Sequence, residues 1–360
     1  INNVISYNSF GGGIHIEDSA PILNSNTISN NTGGGILLTG GFVDGTIITN
    51  NTISNNNASS GGGIGISSTS TSYTISNNVI SNNNASNGGG ISYSPSSVII
   101  GSLASISIVN NIISNNSATN GGGLLCTTAS PTFSNNTIVN NSATNGGALN
   151  CSNNSDVTLY NCIFYGNTAG TNGAQVYLTD DASDPNFYYC NIQSSFAGFG
   201  LNGNIYSGIY SNNIDAAPQF VSPSGGSGTG FNGVTADWFL QSTSPCIDKG
   251  DPSGNYPTTD KAGNPRVRVC RIDIGAYEYQ SGSPLTVSVI QTQQILCHGD
   301  ASAILTANPA GGTSSDSYAY AWSNGATSQS ISGLTSGTYS VLVSTTISQC
   351  QTSASYTVSE

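Results

Sequence analysis

The chain has 360 residues and a formal net charge of −12, and only 6% of its residues are charged, against roughly a quarter in an ordinary soluble domain. The only cations lie in one short segment, at Lys249, Lys261, Arg266, Arg268 and Arg271, so the first 248 residues contain no Lys or Arg. Binding to nucleic acid and docking on an anionic membrane surface both need clustered cations, and we expect neither.

The cysteine content indicates where the protein works. The eight cysteines are an even number without a Cys-x-x-Cys pair, which is typical of an oxidising compartment.

No apolar run approaches the roughly 20 residues of a membrane span, and no charged and then apolar leader opens the chain. The chain has no Met and starts inside a repeat. We therefore expect a mature product or a fragment that is secreted to the cell surface or beyond.

A repeat of the form Asn-Asn-Thr-Ile-Ser-Asn-Asn, followed by a glycine triplet, recurs over residues 1–200. Its isoleucine returns every 23 to 33 residues, at Ile5, Ile28, Ile53, Ile80, Ile113, Ile138 and Ile163. Asn, Gly, Ser and Thr are poor in helix interiors, whereas short alternating runs such as 13–16 are typical of strands. Residues 1–211 are therefore predicted to form a right-handed parallel β-helix, an all-β solenoid of about seven coils.

Stacked coils place equivalent residues about 4.8 Å apart. The asparagines two positions before the isoleucines can then bond amide to amide, which predicts a ladder of Asn26, Asn51, Asn78, Asn111 and Asn136. The isoleucines predict an interior column of Ile28, Ile53, Ile80, Ile113 and Ile138. A charged residue repeated at one such position would repel its own copies, which accounts for the lack of charge.

The longest step between repeats contains residues 94–105, including Pro95, and is predicted to be a loop that leaves one coil. Loops of this kind often carry binding residues. A glycan bound by the face that carries this loop and Tyr93 is therefore an alternative function for the chain.

The positions of the cysteines give an independent prediction of which residues are stacked in neighbouring coils. Cys126 and Cys151 follow their glycine elements by the same distance, and Cys162 and Cys190 align in Tyr-Asn-Cys and Tyr-Tyr-Cys. Both pairs should be stacked neighbours, close enough for disulfides, although unbridged stacked thiols are the alternative. We expect disulfides at all eight cysteines, of which the remaining four are Cys246, Cys270, Cys297 and Cys350.

The Gly-Gly-Gly-Ile and Ser-Asn-Asn-Thr motifs of residues 1–200 resemble the repeats of pectate-lyase-like and chlamydial polymorphic outer-membrane proteins. That resemblance implies the architecture and no particular activity. Residues 212–280 contain Ala-Pro-Gln-Phe-Val, Ser-Pro-Cys-Ile-Asp-Lys-Gly-Asp and Ile-Asp-Ile-Gly-Ala-Tyr-Glu-Tyr. They are similar to the choice-of-anchor Q segment, which implies a cap that closes the β-helix. Ala217 stands where that pattern usually has Asp.

Residues 285–360 contain Cys-His-Gly at 297–299, Tyr-Ala-Tyr-Ala-Trp-Ser-Asn-Gly at 318–325 and Leu-Thr-Ser-Gly-Thr-Tyr at 334–339. They resemble one SprB-type repeat, a module of adhesins in Bacteroidota, although Gln349 stands where the family commonly has Gly. The resemblance implies an immunoglobulin-like β-sandwich with a Cys297–Cys350 bridge. Type IX secretion in that lineage normally uses a C-terminal signal domain. None is visible by residue 360, so we expect that further chain follows or has been removed.

The residue types in the coils indicate whether the chain could be an enzyme. Lyase chemistry at a uronate needs a base and cations that hold the substrate acids, and the coils have no Lys or Arg. A hydrolase needs two carboxylates on one groove, and the densest acidic set, Asp180, Asp181 and Asp184, precedes Pro185 in a predicted loop. We therefore expect no enzyme; a polysaccharide-degrading enzyme dependent on Asp181 is the less favoured alternative.

Two minor sites follow from short patterns. Asp248, Asp251, Asn255 and Asp260 offer oxygen ligands for calcium, as does the acidic set at 180–184. The favoured interpretation is different: turn formation and pairing of Arg266 or Arg268 with a carboxylate at 248–260, and a solvated loop at 180–184. No other cofactor is expected. Asp18-Ser19-Ala20 resembles the O-glycosylation acceptor of Bacteroidota, which makes Ser19 a candidate for modification.

The first hypothesis is thus an extracellular stalk, adhesin or filament subunit without catalytic activity. Exposed ends of a solenoid present unpaired strand edges, which natural chains normally cap. No cap is evident before the first repeat, so the expected partners are like subunits joined head to tail or other components of the cell surface.

Overall fold

The structure is a computed structural model, and it describes residues 1–41, 44–69, 72–95, 105–253, 256–312, 317–346 and 350–359. The chain divides into two compact units. The first unit contains residues 1–266 and 273–279, and the second contains residues 267–272 and 280–360. The segment 212–266 thus belongs with the coils and does not form a unit of its own.

The first unit is a right-handed parallel β-solenoid, which confirms the predicted fold class. A complete coil passes through four sheets, which we name A, B, C and D in chain order. Sheets A, C and D have eight strands each, and sheet B has five. All neighbouring strands in these sheets are parallel, as stacked coils require.

The strands of each sheet are given in chain order. Sheet A contains Val4–Ser6, Thr27–Ser29, Thr52–Ser54, Val79–Ser81, Ile112–Ser114, Thr137–Val139, Ile163–Tyr165 and Asn191–Ile192. Sheet B contains Asn57–Ser60, Asn84–Asn87, Ser117–Asn120, Ser142–Asn145 and Thr168–Asn172. Sheet C contains Ile14–Glu17, Ile36–Thr39, Ile64–Ile66, Ile91–Tyr93, Leu124–Thr127, Leu149–Ser152, Val176–Leu178 and Phe199–Gly200. Sheet D contains Ile22–Asn24, Thr46–Thr49, Ser72–Ser76, Ser105–Val109, Thr132–Ser134, Thr158–Tyr160, Asn186–Tyr188 and Tyr210–Ser211.

The interior column forms on sheet A, where each isoleucine lies opposite the next from Ile5 to Ile138. Those from Ile28 to Ile138 are fully buried, and each contributes about 1.5–3 kcal/mol of burial energy. The predicted register is wrong by one residue in the next coil, where Phe164 and not Ile163 lies opposite Ile138. The side chain of Ile163 instead belongs to a second apolar cluster, which is described below.

Buried asparagines connect the coils at both ends of sheet A. The first amide ladder runs through Asn26, Asn51, Asn78, Asn111 and Asn136, with Nδ2–Oδ1 distances of 2.9–3.0 Å. Each Oδ1 also accepts the backbone N–H of the asparagine in the preceding coil. The residue before each ladder asparagine has a left-handed backbone, which Asn tolerates well.

A second amide ladder, which the sequence analysis missed, lies at the other end of sheet A. Its members are Asn31, Asn56, Asn83, Asn116, Asn141 and Asn167. The signal was present in the sequence, because the repeats of Ile53, Ile80, Ile113 and Ile138 each have one Asn-Asn pair before the isoleucine and another after it.

The glycine triplets form the tight turn into sheet C. Gly61 has a φ of +65°, and a Cβ atom there would lie 2.3 Å from the Cα atom of Gly65. Gly63 is constrained by the next coil, because its Cβ atom would lie 2.6 Å from the carbonyl oxygen of Gly90. Only glycine therefore fits at these two positions.

Residues 215–266 and 273–279, which we call the flank segment, pack along the outer face of sheet A. The side chains of Phe220, Trp238 and Ile274 are buried against Ile163 and its outward-facing neighbours. Its strands Phe220–Ser222 and Asp237–Leu240 form an antiparallel pair. The contacts of this segment extend along the side of the solenoid over several coils, and its role as a cap that closes the β-helix stays a prediction.

Hydrogen bonds also join the flank segment to the corners of several successive coils. The left-handed corner asparagines donate their amides to the flank segment, Asn140 to the carbonyl of Ser224 at 3.1 Å and Asn115 to that of Gly226 at 2.8 Å. Asn82 accepts from the backbone N–H of Gly233 at 2.9 Å. These corners are thus paired with protein and not with solvent.

The second unit is a β-sandwich of two antiparallel sheets. One sheet contains Ser283–Gln293, Ala303–Gly312 and Ser330–Leu334, and the other contains Tyr318–Trp322, Gly337–Thr345 and Gln351–Val358. Leu305, Trp322 and Val341 lie in the core between them. A disulfide joins Cys270 to Cys350 within this unit.

The helical content of the described residues is a single 3₁₀ turn at Ser195–Gly198. None of the helices in that part of the chain is long and apolar enough to cross a membrane.

We predict that Asn56→Ala lowers the free energy of unfolding by about 3 kcal/mol, because it leaves several buried donors and acceptors without partners. Asn55→Gly is the matched control, since Asn55 is exposed and has a φ of 56° that glycine adopts freely. Urea denaturation followed by circular dichroism measures both variants. Equal losses in the two variants would show that the ladder hydrogen bonds do not stabilise the coils.

Candidate functional site

The carboxylates of the coils accept hydrogen bonds from neighbouring coils. Asp18 Oδ1 accepts from Gly41 N at 2.9 Å, and Asp181 Oδ1 accepts from Ile205 N at 2.9 Å. Asp180 Oδ2 accepts from Asn153 N at 2.6 Å. We call these acids, together with those of the next paragraph, the corner carboxylates.

Asp156 and Asp184 continue this pattern over three successive coils. Asp156 Oδ1 accepts from Asp184 N at 2.8 Å, and Asp184 Oδ1 accepts from Ser207 N at 2.7 Å. The acidic set at 180–184 therefore connects coils to one another.

The predicted calcium ligands are held by their own turns. Asp251 Oδ1 accepts from the N and Oγ of Ser253, and Asp260 Oδ1 accepts from Ala262 N and Asn264 N. Asn255 lies outside the described residues. Within the described ranges, no group of three His, Cys, Asp or Glu side chains is placed to hold a metal ion. Asp248, Asp251 and Asp260 are thus not gathered into one site.

The flank segment contains a buried ionic cluster. Arg266 is completely buried, and its Nη1 lies 3.7 Å from Glu278 Oε2. Its Nη2 donates to the carbonyl of Ala276 at 3.1 Å and to the side chain of Asn110 in sheet D's corner. This is the Arg–carboxylate pairing that the sequence offered as the alternative to calcium.

Two carboxyls share this one guanidinium. Burial raises the pKa of Asp273 to about 7, against the opposing effect of the backbone N–H groups of Tyr279 and Asp248. Burial, and then the Asp273 charge, raise the pKa of Glu278 to about 10. Since two buried anions facing one cation repel each other, the pair retains a proton that ordinary carboxyls would release.

The stacked cysteines are neighbours but remain thiols. Cys126 lies opposite Cys151 in sheet C, and Cys162 N donates to Cys190 Sγ at 3.4 Å. In-register side chains start about 4.8 Å apart, beyond the 3.5–4.5 Å that Cβ atoms of a disulfide usually span. The expected bridges at these two places are therefore absent in the structure.

Cys162 and Cys190 also replace asparagine in the first amide ladder. Cys162 Sγ lies near the carbonyl oxygens of Phe133 and Tyr160, the places that the ladder amides bond, and Cys190 N donates to Asn213 Oδ1 at 2.7 Å. This substitution explains the register error, because Asn161 directly precedes Cys162 and places the Asn-x-Ile pattern on Ile163, one residue before Phe164.

The implied Cys297–Cys350 bridge is wrong. Cys350 is buried beside Val269 and Leu285, where it meets Cys270 at a Cα–Cα distance of 5.5 Å. Cys297 is an exposed thiol, and Cys246 is a buried one.

The loop predicted to bind glycans is largely outside the described residues, which end at Pro95 and resume at 105. Tyr93 is 1% exposed and belongs to the solenoid interior, so it does not lie on a binding face. Ser19, the candidate for glycosylation, is exposed, and its carbonyl oxygen accepts a hydrogen bond from Thr46.

Two open grooves lie on the outside of the coils. The B/C groove, where sheets B and C meet, has a volume of about 500 Å³ and is lined by Ser60, Asn87, Ser94, Asn120, Leu125, Thr127, Asn145, Asn150, Ser152, Tyr177 and Thr179. The second groove, on sheet D, has about 330 Å³ and is lined by Ser107, Val109, Thr132, Ser134, Tyr160, Tyr256 and Pro257. Among the described residues that line the two grooves, none is a carboxylate.

Comparison with known proteins supports the assignment of the coils to a β-helix. A family model described as the right-handed beta helix region matches residues 1–138. No curated protein and no solved structure matches the chain. The resemblances of 212–280 to choice-of-anchor Q and of 285–360 to SprB repeats stay predictions.

We predict that the free energy of unfolding falls as the pH rises from about 5 to about 9. Unfolded carboxyls release their protons near pH 4. In the folded state Asp273 keeps its proton up to a pKa of about 7, and Glu278 keeps its own up to a pKa of about 10. The folded state thus binds more protons over this interval, and stability declines with pH. Denaturation at several pH values measures the slope, which Glu278→Gln should flatten.

The exposed Asp300 supplies the control, because Asp300→Asn should leave this slope unchanged. A stability that rises over the same interval would contradict the assigned direction of the pKa shifts.

We predict six titratable thiols in denatured protein and one, Cys297, in native protein. The five others are buried, and burial raises the pKa of Cys126, Cys151, Cys190 and Cys246, which disfavours the reactive thiolate. A chromogenic disulfide reagent counts them in protein from its native source. Fewer than six in denaturant would show that the stacked pairs are bridged after all.

Proposed function

We propose that this chain is an extracellular structural protein, a stalk or filament subunit of the cell surface without catalytic activity. The observation that carries the proposal is the use of the polar side chains. The buried amides of both ladders and the corner carboxylates bond from one coil to the next, so the side chains that could perform chemistry are used to hold coils together.

The electrostatics support the same function. The first 248 residues have no cation, which leaves no group to neutralise a uronate or a phosphate on the coils. The acids of the coils are spread among corners and do not meet in either groove. A lyase or hydrolase would need such groups together on one surface.

An extracellular location is supported by the Cys270–Cys350 disulfide, since such bonds persist in oxidising compartments. The resemblance of residues 285–360 to SprB-type repeats points further, to the surface of Bacteroidota and to type IX secretion. Like subunits or other surface components are the partners that follow from this proposal.

We predict that gold-labelled antibodies against the chain bind intact cells of the native source and mark stalks or filaments on their surface. Electron microscopy makes this measurement, and permeabilised cells serve as the control for total label. Label that appears only after permeabilisation would contradict the surface location.

Catalysis would contradict the proposal separately. Reducing-end release from a polysaccharide, lost in Asp181→Asn and kept in Asp18→Asn, would make the chain an enzyme. Both acids accept one backbone N–H from a neighbouring coil, so the two variants disturb the fold similarly.

A further inference from the structure

One stretch of the flank segment, residues 224–233, lies along the corners that follow the strands of sheet A, and we call it the strap. Its contacts are with the corner asparagines of three successive coils, Asn140, Asn115 and Asn82. As the strap proceeds along the chain, it passes from the coil of Asn140 to the coil of Asn82. The strap thus shows how this row of corners binds a polypeptide.

The middle corner holds two carbonyl groups of the strap. Asn115 Nδ2 donates to the carbonyl oxygen of Gly226 at 2.8 Å and to that of Gly228 at 3.3 Å. Gly228 has a φ of +75°, a conformation that favours glycine, and its N–H donates to the carbonyl oxygen of Asn140 at 2.8 Å. The corner therefore recognises the backbone of a glycine-containing bend.

The next corner bonds the strap through both ends of its amide. Asn82 Nδ2 donates to the carbonyl oxygen of Phe231 at 2.5 Å, and Asn82 Oδ1 accepts from Gly233 N at 2.9 Å. A Cβ atom on Gly233 would lie 2.4 Å from both Asn115 Oδ1 and Ser81 Oγ. The strap approaches sheet A so closely at this position that only glycine fits.

The same corners continue into two coils that the strap does not reach. Asn30 and Asn55 follow Ser29 and Ser54, which pair in register with each other and with Ser81. Both asparagines are exposed and left-handed, with a φ of 56°. Within the described part of the chain, each side-chain amide bonds only the preceding serine hydroxyl, at 3.2 and 3.5 Å. An amide has two N–H groups and two lone pairs, so bonding capacity remains for a ligand.

The strap also defines which polypeptide fits these two corners. Five of its ten residues are glycine and none is charged. A side chain at the position of Gly233 would collide with the sheet, so most sequences are excluded. The strap of a second copy is already bound to its own coils. The occupant must therefore be a glycine-rich segment of a different protein.

We propose that the corners of Asn30 and Asn55 bind a glycine-rich, uncharged segment of a partner protein, as Asn82 and Asn115 bind the strap two coils further along. Asn55 donates its amide to two carbonyl oxygens of the segment, and Asn30 bonds one carbonyl and one N–H group. This inference goes beyond the proposed structural function, because it stands on the contacts of the strap and not on the location of the protein.

A synthetic peptide with the sequence of residues 226–233, Gly-Ser-Gly-Thr-Gly-Phe-Asn-Gly, is the probe. Saturation-transfer difference NMR with the whole chain detects weak binding and should give a saturable titration. The double variant Asn30→Gly, Asn55→Gly should weaken binding at least roughly tenfold, since it removes several hydrogen bonds. Glycine adopts the left-handed backbone freely, so this variant should keep the fold.

Two controls accompany this measurement. Asn153→Gly changes an exposed, left-handed asparagine at another corner, with a φ of 57°, and should bind the peptide like the parent chain. A peptide with Gly233→Ala should bind at least roughly tenfold more weakly, because its Cβ atom would meet the amide and hydroxyl oxygens of the corner. Circular dichroism melting identifies any variant that fails to fold.

Four results would overturn the proposal. The peptide shows no saturable binding; the double variant binds it like the parent chain, which places the peptide elsewhere; or the alanine peptide binds equally well. The fourth is a dimer of the chain alone that disappears in the double variant, because a second copy would then be the occupant. None of these results bears on the surface labelling of intact cells, so the structural function stands or falls separately.

Discussion

The coils depend on one interaction, a buried asparagine oxygen that accepts both the backbone N–H and the side-chain N–H of the asparagine in the preceding coil. A corner must break the strand and would leave backbone groups unpaired away from water. The amide supplies what the corner lacks, and the residue before it adopts the left-handed conformation that turns the chain. Two ladders of this kind bracket sheet A and fix its register. The isoleucine column then packs as a consequence of that register.

Much of this could be predicted, because the constraint repeats. Every coil must present an asparagine and an isoleucine at the same place, so the sequence repeats the pattern that the fold requires. The prediction failed where one residue replaced another in the same role. Cys162 takes the place of an asparagine in the ladder, and a search for Asn therefore slipped by one position. The second ladder was also missed, because the prediction used only the asparagines that precede the isoleucines. The asparagines that follow the isoleucines are equally regular.

The structure of the non-repeating parts was harder to predict from the sequence, because their contacts join residues far apart in the chain. The flank segment resembles a terminal cap in sequence, but its apolar residues match outward-facing positions such as Val139 and Ile163, which no local pattern marks as a docking face. The choice of Cys270 over Cys297 as the partner of Cys350 likewise depends on packing beside Val269. The B/C groove could not be predicted either, because Asn145 and Asn150 line it together only through the geometry of sheets B and C.

The coils differ in length by up to ten residues between isoleucines, from 23 to 33, yet the pairing from Ile5 to Ile138 stays in register. Each coil therefore interacts with its neighbours through the same few positions, whatever the length of its loops. Near-identical coding segments invite unequal recombination, and here the product of such an exchange would gain or lose a whole coil without disturbing either ladder. Selection on a gene of this kind can adjust the length of the solenoid in single-coil steps, provided that the coils that bind the flank segment are kept.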